Sequence, residues 1–563
     1  MKLRNIIAYA LLLASGSCTD LSEEMYDRVG SGNFIQKKDN LMQVIGSVYA
    51  RAHNTTLISW FFPQELTADQ ILTPTRGIHG YNAGEYLRLN QHNWSGLDRG
   101  ATMAWTENYQ LIGFANHVLA ELPDMDYGKL GLTETDKKRH IAEIRTLRAY
   151  GYWHLLEIYG GVPIVTFVGD EVKPRNSDEE VYDFIVSELN ETLPDLALKG
   201  EVSGPAGLYR VTKGFNRFLL MRVLFNSEAY IRKPAYEETR RLAEEIINGT
   251  YGQYALDNTW NGPFTHNNST SPELIFAFPI EKGQRDEKNW WFGGFHHYQT
   301  HLTFGSSHGG AGWNGWGLAP SKTADGKNLD YRLGMPFSKY HEKDVRKKSW
   351  NYLGNGNWEG MFLQGLQLTF DKKDTIRGVE EYKGRPLVLV DFVARASEGD
   401  LASGSMLKGE ENTGIRPVKV CPVFPDVEAQ YEAQADQPEM RLAEAYLTLA
   451  ECEARLGNRE RAAELVNRLI KRNYKAADWE NSALGLPLAA GELDPDGYRM
   501  LEEWGKEFIM EGRRRTDLIR WKKYTTDRWF DHNEPSAQFR TRMPVPQFAL
   551  NSNPLLQQND GYN

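Results

Sequence analysis

Apolar residues recur at three- and four-residue intervals over long stretches of this 563-residue chain, and most of those stretches come in pairs. Leu111, Ala115, Val118 and Leu122 mark one stripe; Ile141, Ile144, Leu147, Gly151, Leu155 and Ile158 mark another. The spacing predicts helix pairs at 39–52 with 102–122, 136–159 with 178–197, 212–232 with 235–248, and 438–456 with 459–473. A further helix is predicted near 498–523. Thr133 and Asp136 supply capping chemistry for the second pair, and Ser177 and Glu180 do the same for its partner helix. The 136–159 stripe ends at Gly160 and Gly161, with Pro163 behind it. Pairs of antiparallel helices suggest tetratricopeptide-like units, although no 34-residue period is visible. The reading is a mostly α scaffold.

The periodicity fails in two places. Residues 53–101 and 251–437 are rich in Gly, Asn and aromatic residues, with only short β-like runs such as 274–278 and 387–390. These are read as large irregular insertions between the scaffold segments 39–52, 102–250 and 438–523. A tail, 524–563, closes a single domain over 39–563.

The amino terminus follows a different pattern. Lys2 and Arg4 precede an uncharged apolar run at 6–14, then Ser15, Gly16, Ser17 and Cys18. This is the layout of an export signal. A cysteine directly after the small residues predicts cleavage at 1–17 and lipid attachment to Cys18, although Ser15 stands where such signals usually carry Leu. The apolar run is too short for a bilayer core of about 30 Å. Residues 18–38 read as a lipid-anchored tether.

Composition narrows the function. Charged residues make up 25% and the net charge is −10, which argues against a nucleic-acid partner. Besides Cys18 only Cys421 and Cys452 are present, so one disulfide is the most that sequence permits. Aromatic residues reach 12%, with 15 Trp and 27 Tyr, and many fall in the insertions.

Four sequence blocks resemble the SusD/RagB family of outer-membrane lipoproteins: RTLRAYGYWHLLEIYGGVP (145–163), RLAEAYLTLAECEARLGN (441–458), EEWGKEFIMEGRRRTDLIRW (502–521) and the tail MPVPQFALNSNPLLQQNDGY (543–562). YHEKDVR (340–346) is similar to a fifth family stretch. The resemblance implies a SusD-like fold, glycan binding at the cell surface without catalysis, and a SusC-type TonB-dependent transporter as partner. It implies no cofactor, although some relatives carry a structural calcium. The family blocks themselves read as scaffold: Arg145 and Arg148 on one flank and Glu507 and Glu511 at i,i+4 on another are suited to ion pairs between packed helices, and Arg513 with Asp517 to fixing a helix end.

Sugar rings present an apolar face and a rim of hydroxyls, so aromatic residues on surface loops are the natural candidates. In 289–316 these are Trp291, Tyr298, Trp313 and Trp316. The family also builds part of its site from the first insertion, where Trp94, Asp69 and Arg76 are the candidates, beside Trp60 and Tyr81. His297 and His301 have i,i+4 spacing, but their surroundings lack a metalloprotease glutamate and the nearby glycines disfavour a helix. No nucleophile elbow is present. Two other readings stand beside glycan capture: a peptide-binding relative of the RagB type, and a glycan-degrading hydrolase.

Overall fold

The computed structural model describes residues 35, 37–169, 171–202, 208–280, 294–305, 312–420, 424–426 and 435–562. Cys18, Trp291 and Cys421 lie outside them.

The predicted scaffold helices form. They are α1 (Lys38–Asn54), α2 (Arg99–Glu121), α3 (Glu134–Tyr159), α4 (Asp178–Thr192), α5 (Lys213–Phe225), α6 (Tyr236–Ile247), α7 (Leu442–Arg455) and α8 (Arg459–Ile470). Each predicted pair packs together, and α2 on α3 and α6 on α7 join neighbouring pairs. Both expected capping boxes are made: Asp136 N–H donates to Thr133 Oγ1 at 3.1 Å, and Glu180 N–H to Ser177 Oγ at 3.2 Å. One continuous apolar core runs through the scaffold, and α3 is buried almost all round over its second half. Among the described residues no helix is long and apolar enough to cross a membrane.

Three predicted helices are interrupted. The 212–232 segment breaks at Asn226, whose side-chain amide turns back to the Arg222 carbonyl and whose Oδ1 accepts from Arg520. The start of 438–456 is a strand: Gln437–Arg441 pairs antiparallel with Leu274–Phe278, a buried ladder. The 498–523 segment divides into α9 (Arg499–Glu507) and α10 (Arg514–Arg520). Between them Met510 and Gly512 adopt left-handed backbone angles. The Glu65 carboxylate accepts from the N–H groups of Gly512 and Arg513 at 2.8 and 3.1 Å, so a residue far upstream caps the break.

Ion pairs fill the interior as the family blocks suggested. Arg145 and Arg148 share Glu188. Arg441 donates to Glu273, Glu507 and Glu511, and Arg472 to Glu273 and Glu507. Arg520 holds Glu451 and Asp517. These bonds tie the Leu274–Phe278 strand, α7 and the α9–α10 segment to one another.

Candidate glycan-binding site

Three irregular segments meet on one surface, and two buried side chains join them. Segment 73–84 leaves the short strand Ile71–Leu72, which pairs with Gly317–Leu318 and so draws the two insertions together. It makes a tight turn in which Arg76 and His79 exchange backbone hydrogen bonds at 2.9 and 2.8 Å. Gly77, with φ of +53°, suits this turn, where a larger residue would be strained and would have to displace the Glu381 carboxylate. Ile78 stands at the tip, 92% exposed, and Tyr81 is exposed just beyond it.

The second segment is 294–305 with 312–316. Asn314 N–H donates to the His296 carbonyl, and Trp316 N–H to that of Gly294, so its two strands run side by side. Trp313 is 43% exposed, whereas Trp316, three residues on, is 4% exposed and stacks on Phe61 at 4.4 Å. Tyr298 is half-buried. Its hydroxyl lies 3.5 Å from Glu380, and its ring meets His79 edge-on at 6.0 Å.

The third segment, 377–385 with 409–416, supplies Glu380, paired with His79 at 2.8 Å, and Tyr382, which donates to Glu410. Glu411 is fully buried beneath it. Its carboxylate accepts from His297 Nε2 at 2.7 Å and from the N–H groups of Val379, Glu380 and Tyr382. Burial alone would raise this acid; the bonds from His297 and the three N–H groups outweigh it and hold the carboxyl at about 2. His297 also accepts from Gln299 N–H through Nδ1, and burial keeps its ring below the usual histidine range. It is therefore a neutral donor with both nitrogens committed.

Arg76 is the second anchor. Its guanidinium donates to the carbonyls of Asn314, Gly315, Glu410 and Thr413. One side chain thus fastens its own turn to both other segments. Burial lowers its pKa to about 10, still charged at neutral pH.

The sequence candidates divide accordingly. Tyr298 lies beside the partly exposed His79 and Glu380, and Trp313, Ile78 and Tyr81 are exposed on the adjoining segments. Trp316 and Trp94 do not offer a stacking face: the first is core, and the second is buried, donating to Tyr562 and covered by Arg540. Asp69 is buried against Arg514 and accepts from Gly334 N–H. Arg76 is an anchor rather than a ligand contact. His79 and Glu380 were missed; the one available signal was the glycine-bounded turn 378–384 holding Glu380, Glu381 and Tyr382.

Buried ionisable groups predict a bell-shaped stability profile. Glu444 and Glu451, like Glu411, are held at about 2 by arginines or hydrogen bonds that overcome burial. Their contribution is complete above the unfolded value near 4.3 and is lost as pH falls towards 2. Burial keeps His140 and His532 at about 4, so their contribution starts to fall below about pH 6.5. Glu65 acts in reverse. Burial raises it to about 8, so its contribution is present below the unfolded value and lost as pH rises to 8. The thermal midpoint measured from pH 3 to 9 is expected to peak near neutrality and fall most steeply on the acid side.

A mostly α scaffold that presents an aromatic surface from irregular loops defines a ligand-binding protein of the SusD-like class. The profile of the SusD family matches residues 272–562, and a second profile, described as starch-binding associating with outer membrane, matches 22–202. The chain belongs to the SusD family. It is 25% identical to the starch-binding protein SusD of Bacteroides thetaiotaomicron over 77% of this chain and 74% of that one. It is 21% identical to SusD-like protein P25 of Formosa agariphila over 100% and 99% of the two chains. Among solved structures, surface glycan-binding protein A of Bacteroides uniformis superposes with a TM-score of 0.63 at 16% identity, over 92% of this chain and 99% of that one. A laminarin-binding SusD-like protein gives 0.63 at 18% identity, over 94% and 100%.

Proposed function

We propose that this chain is a non-catalytic, cell-surface glycan-binding lipoprotein, anchored to the outer membrane through Cys18, that captures oligosaccharide and delivers it to a SusC-type TonB-dependent transporter. The observation that carries the glycan reading is Tyr298 beside the His79–Glu380 pair, with Trp313 and Tyr81 exposed on the same segments, on a base fixed by Arg76 and Glu411. The aromatic rings offer stacking faces for the C–H side of a sugar. The carboxylate and imidazole offer an acceptor and a donor for its hydroxyls. A preformed base spares the ligand the entropic cost of ordering loops. The names of the relatives, a starch-binding protein, a laminarin-binding protein and a surface glycan-binding protein, support the same ligand class.

The test is calorimetry of the soluble chain against plant, host and microbial oligosaccharides and a mixed peptide pool. Binding to one glycan class is expected. Trp313→Ala and Tyr298→Ala are each expected to weaken it by roughly three- to tenfold, since an aromatic contact contributes about 0.5–1.5 kcal/mol beyond area burial. Binding to peptides alone would overturn the glycan reading.

A further inference from the structure

Two cavities lie between the 226–232 turn behind α5 and the 516–542 stretch, and no residue of the loop surface lines either of them. One has a volume of about 320 Å³ and the other about 630 Å³, within the range of small-molecule sites. Tyr230, Arg232, Gln538, Thr541 and Arg542 border both, so the two form one cleft. Part of its wall is preformed. The Tyr230 hydroxyl donates to the Glu157 carboxylate, which also accepts from Thr516 Oγ1 at 2.6 Å and from Arg515 at 3.1 Å. Tyr230, Glu157 and Thr516 are each more than nine-tenths buried.

The hydrogen-bonding capacity of the cleft is lopsided. The hydroxyl protons of Thr516, Thr525, Thr526 and Thr541 are all spent within the chain, on Glu157, on Gln538 Oε1 and on the carbonyls of Lys522 and Gln538. Their oxygens remain as acceptors beside the carboxylates of Glu157 and Glu228. Most cations of the wall are occupied: Arg520 holds Glu451 and Asp517, Lys522 holds Glu228 at 2.9 Å, and Arg542 holds Asp178. Arg232 differs. It is exposed, borders both cavities, and its guanidinium has no hydrogen bond or ion pair among the described residues.

Acidic and basic side chains are equal in number around the cleft, and that balance selects the ligand. A carboxylate, sulfate or phosphate would meet Glu157 and Glu228. An ammonium would meet Arg520, Lys522 and Arg542. A neutral ring with several hydroxyls meets neither penalty: its O–H groups donate to the acceptors, and its oxygens accept from Arg232. Ile231 and Phe539 supply apolar contact for its C–H side in the larger cavity. We propose that this cleft is a second saccharide site, taking one or two neutral sugar units. It is separate from the loop surface and stands whether or not that surface binds glycan.

Hydrogen exchange read by mass spectrometry on the full chain, solubilised in a sugar-free detergent, tests it. The probes are the neutral disaccharides maltose, laminaribiose, cellobiose, mannobiose and lactose, with digalacturonic acid and the glucosamine dimer as charged counterparts. At least one neutral probe is expected to slow exchange in peptides covering 226–232 and 538–542, in wild type and equally in Trp313→Ala/Tyr298→Ala. Peptides covering 298–305 and 377–385 report the loop surface, so failure of either site is read on its own peptides. Arg232→Gly removes a charged donor and is expected to raise the concentration for half-protection in the cleft by roughly tenfold or more. Its thermal midpoint should not fall, because Arg232 has φ of +62°, a backbone setting that glycine adopts without strain. Absence of cleft protection by every neutral probe, protection by a charged probe alone, or protection undiminished in Arg232→Gly would each overturn the proposal.

Discussion

Glu411→Ala is expected to abolish ligand binding at the loop surface although Glu411 is fully buried there. Its carboxylate is the common acceptor for His297 Nε2 and for the N–H groups of Val379, Glu380 and Tyr382. Removing it strands three backbone donors and an imidazole N–H in the interior. Each hydrogen bond to a charged group contributes about 1.5–3 kcal/mol, and a buried donor left without a partner costs about 1–3 kcal/mol. The turn carrying Glu380 and the segment carrying Tyr298 would therefore separate from each other. Calorimetry should read a loss of well over tenfold, beyond that of Trp313→Ala. Glu411→Gln keeps the volume but presents an NH2 group to donors, and should recover only part of the binding. Equal affinity in wild type and Glu411→Ala would refute the anchoring role and leave the surface aromatics to be judged on their own.

Arg441→Ala is expected to be the most destabilising single change in the scaffold. Its guanidinium bonds Glu273, Glu507 and Glu511 and lies over the Phe508 ring at 4.0 Å. Without it three buried carboxylates keep, among the described residues, Arg472, Arg346 and Lys419 as cationic partners. Breaking a buried pair by removing one partner costs about 3–5 kcal/mol, against a total stability of about 5–15 kcal/mol for a domain. Urea unfolding followed by circular dichroism should show a midpoint shift of that size. Arg441→Lys should rescue little, because one ammonium cannot replace three directed guanidinium contacts. A shift below about 1 kcal/mol would mean that the neighbouring cations carry the cluster without Arg441.

The scaffold was legible in the sequence because its information is local. The stripe on 136–159 and the boxes at Thr133 and Ser177 lie within single helices, and both ends formed as their capping chemistry predicts. What failed depended on distant residues. Nothing near Gly512 announces that Glu65 will cap a break there. Nothing near Gln437 announces that Leu274–Phe278 will claim it as a strand partner. The site shows the same limit more sharply. Trp313 and Trp316 sit in one glycine-rich loop with the same neighbours in sequence, yet one faces solvent and the other stacks on Phe61. Which way a ring turns was decided by the 53–101 insertion, more than 200 positions away. Asp69 and Arg76 were visible as polar groups in an aromatic region, but their burial followed from Arg514 and from four backbone carbonyls that sequence does not index.

The bond between Trp94 and Tyr562 joins positions 468 apart, and His53 meets Gln437 across 384. Synthesis and folding therefore run on different clocks. Trp94 and the carbonyls of Gly96 and Ile158 reach their final partners only when the last residues of the tail have arrived. Until then Trp94 and the 91–98 loop lack their cover.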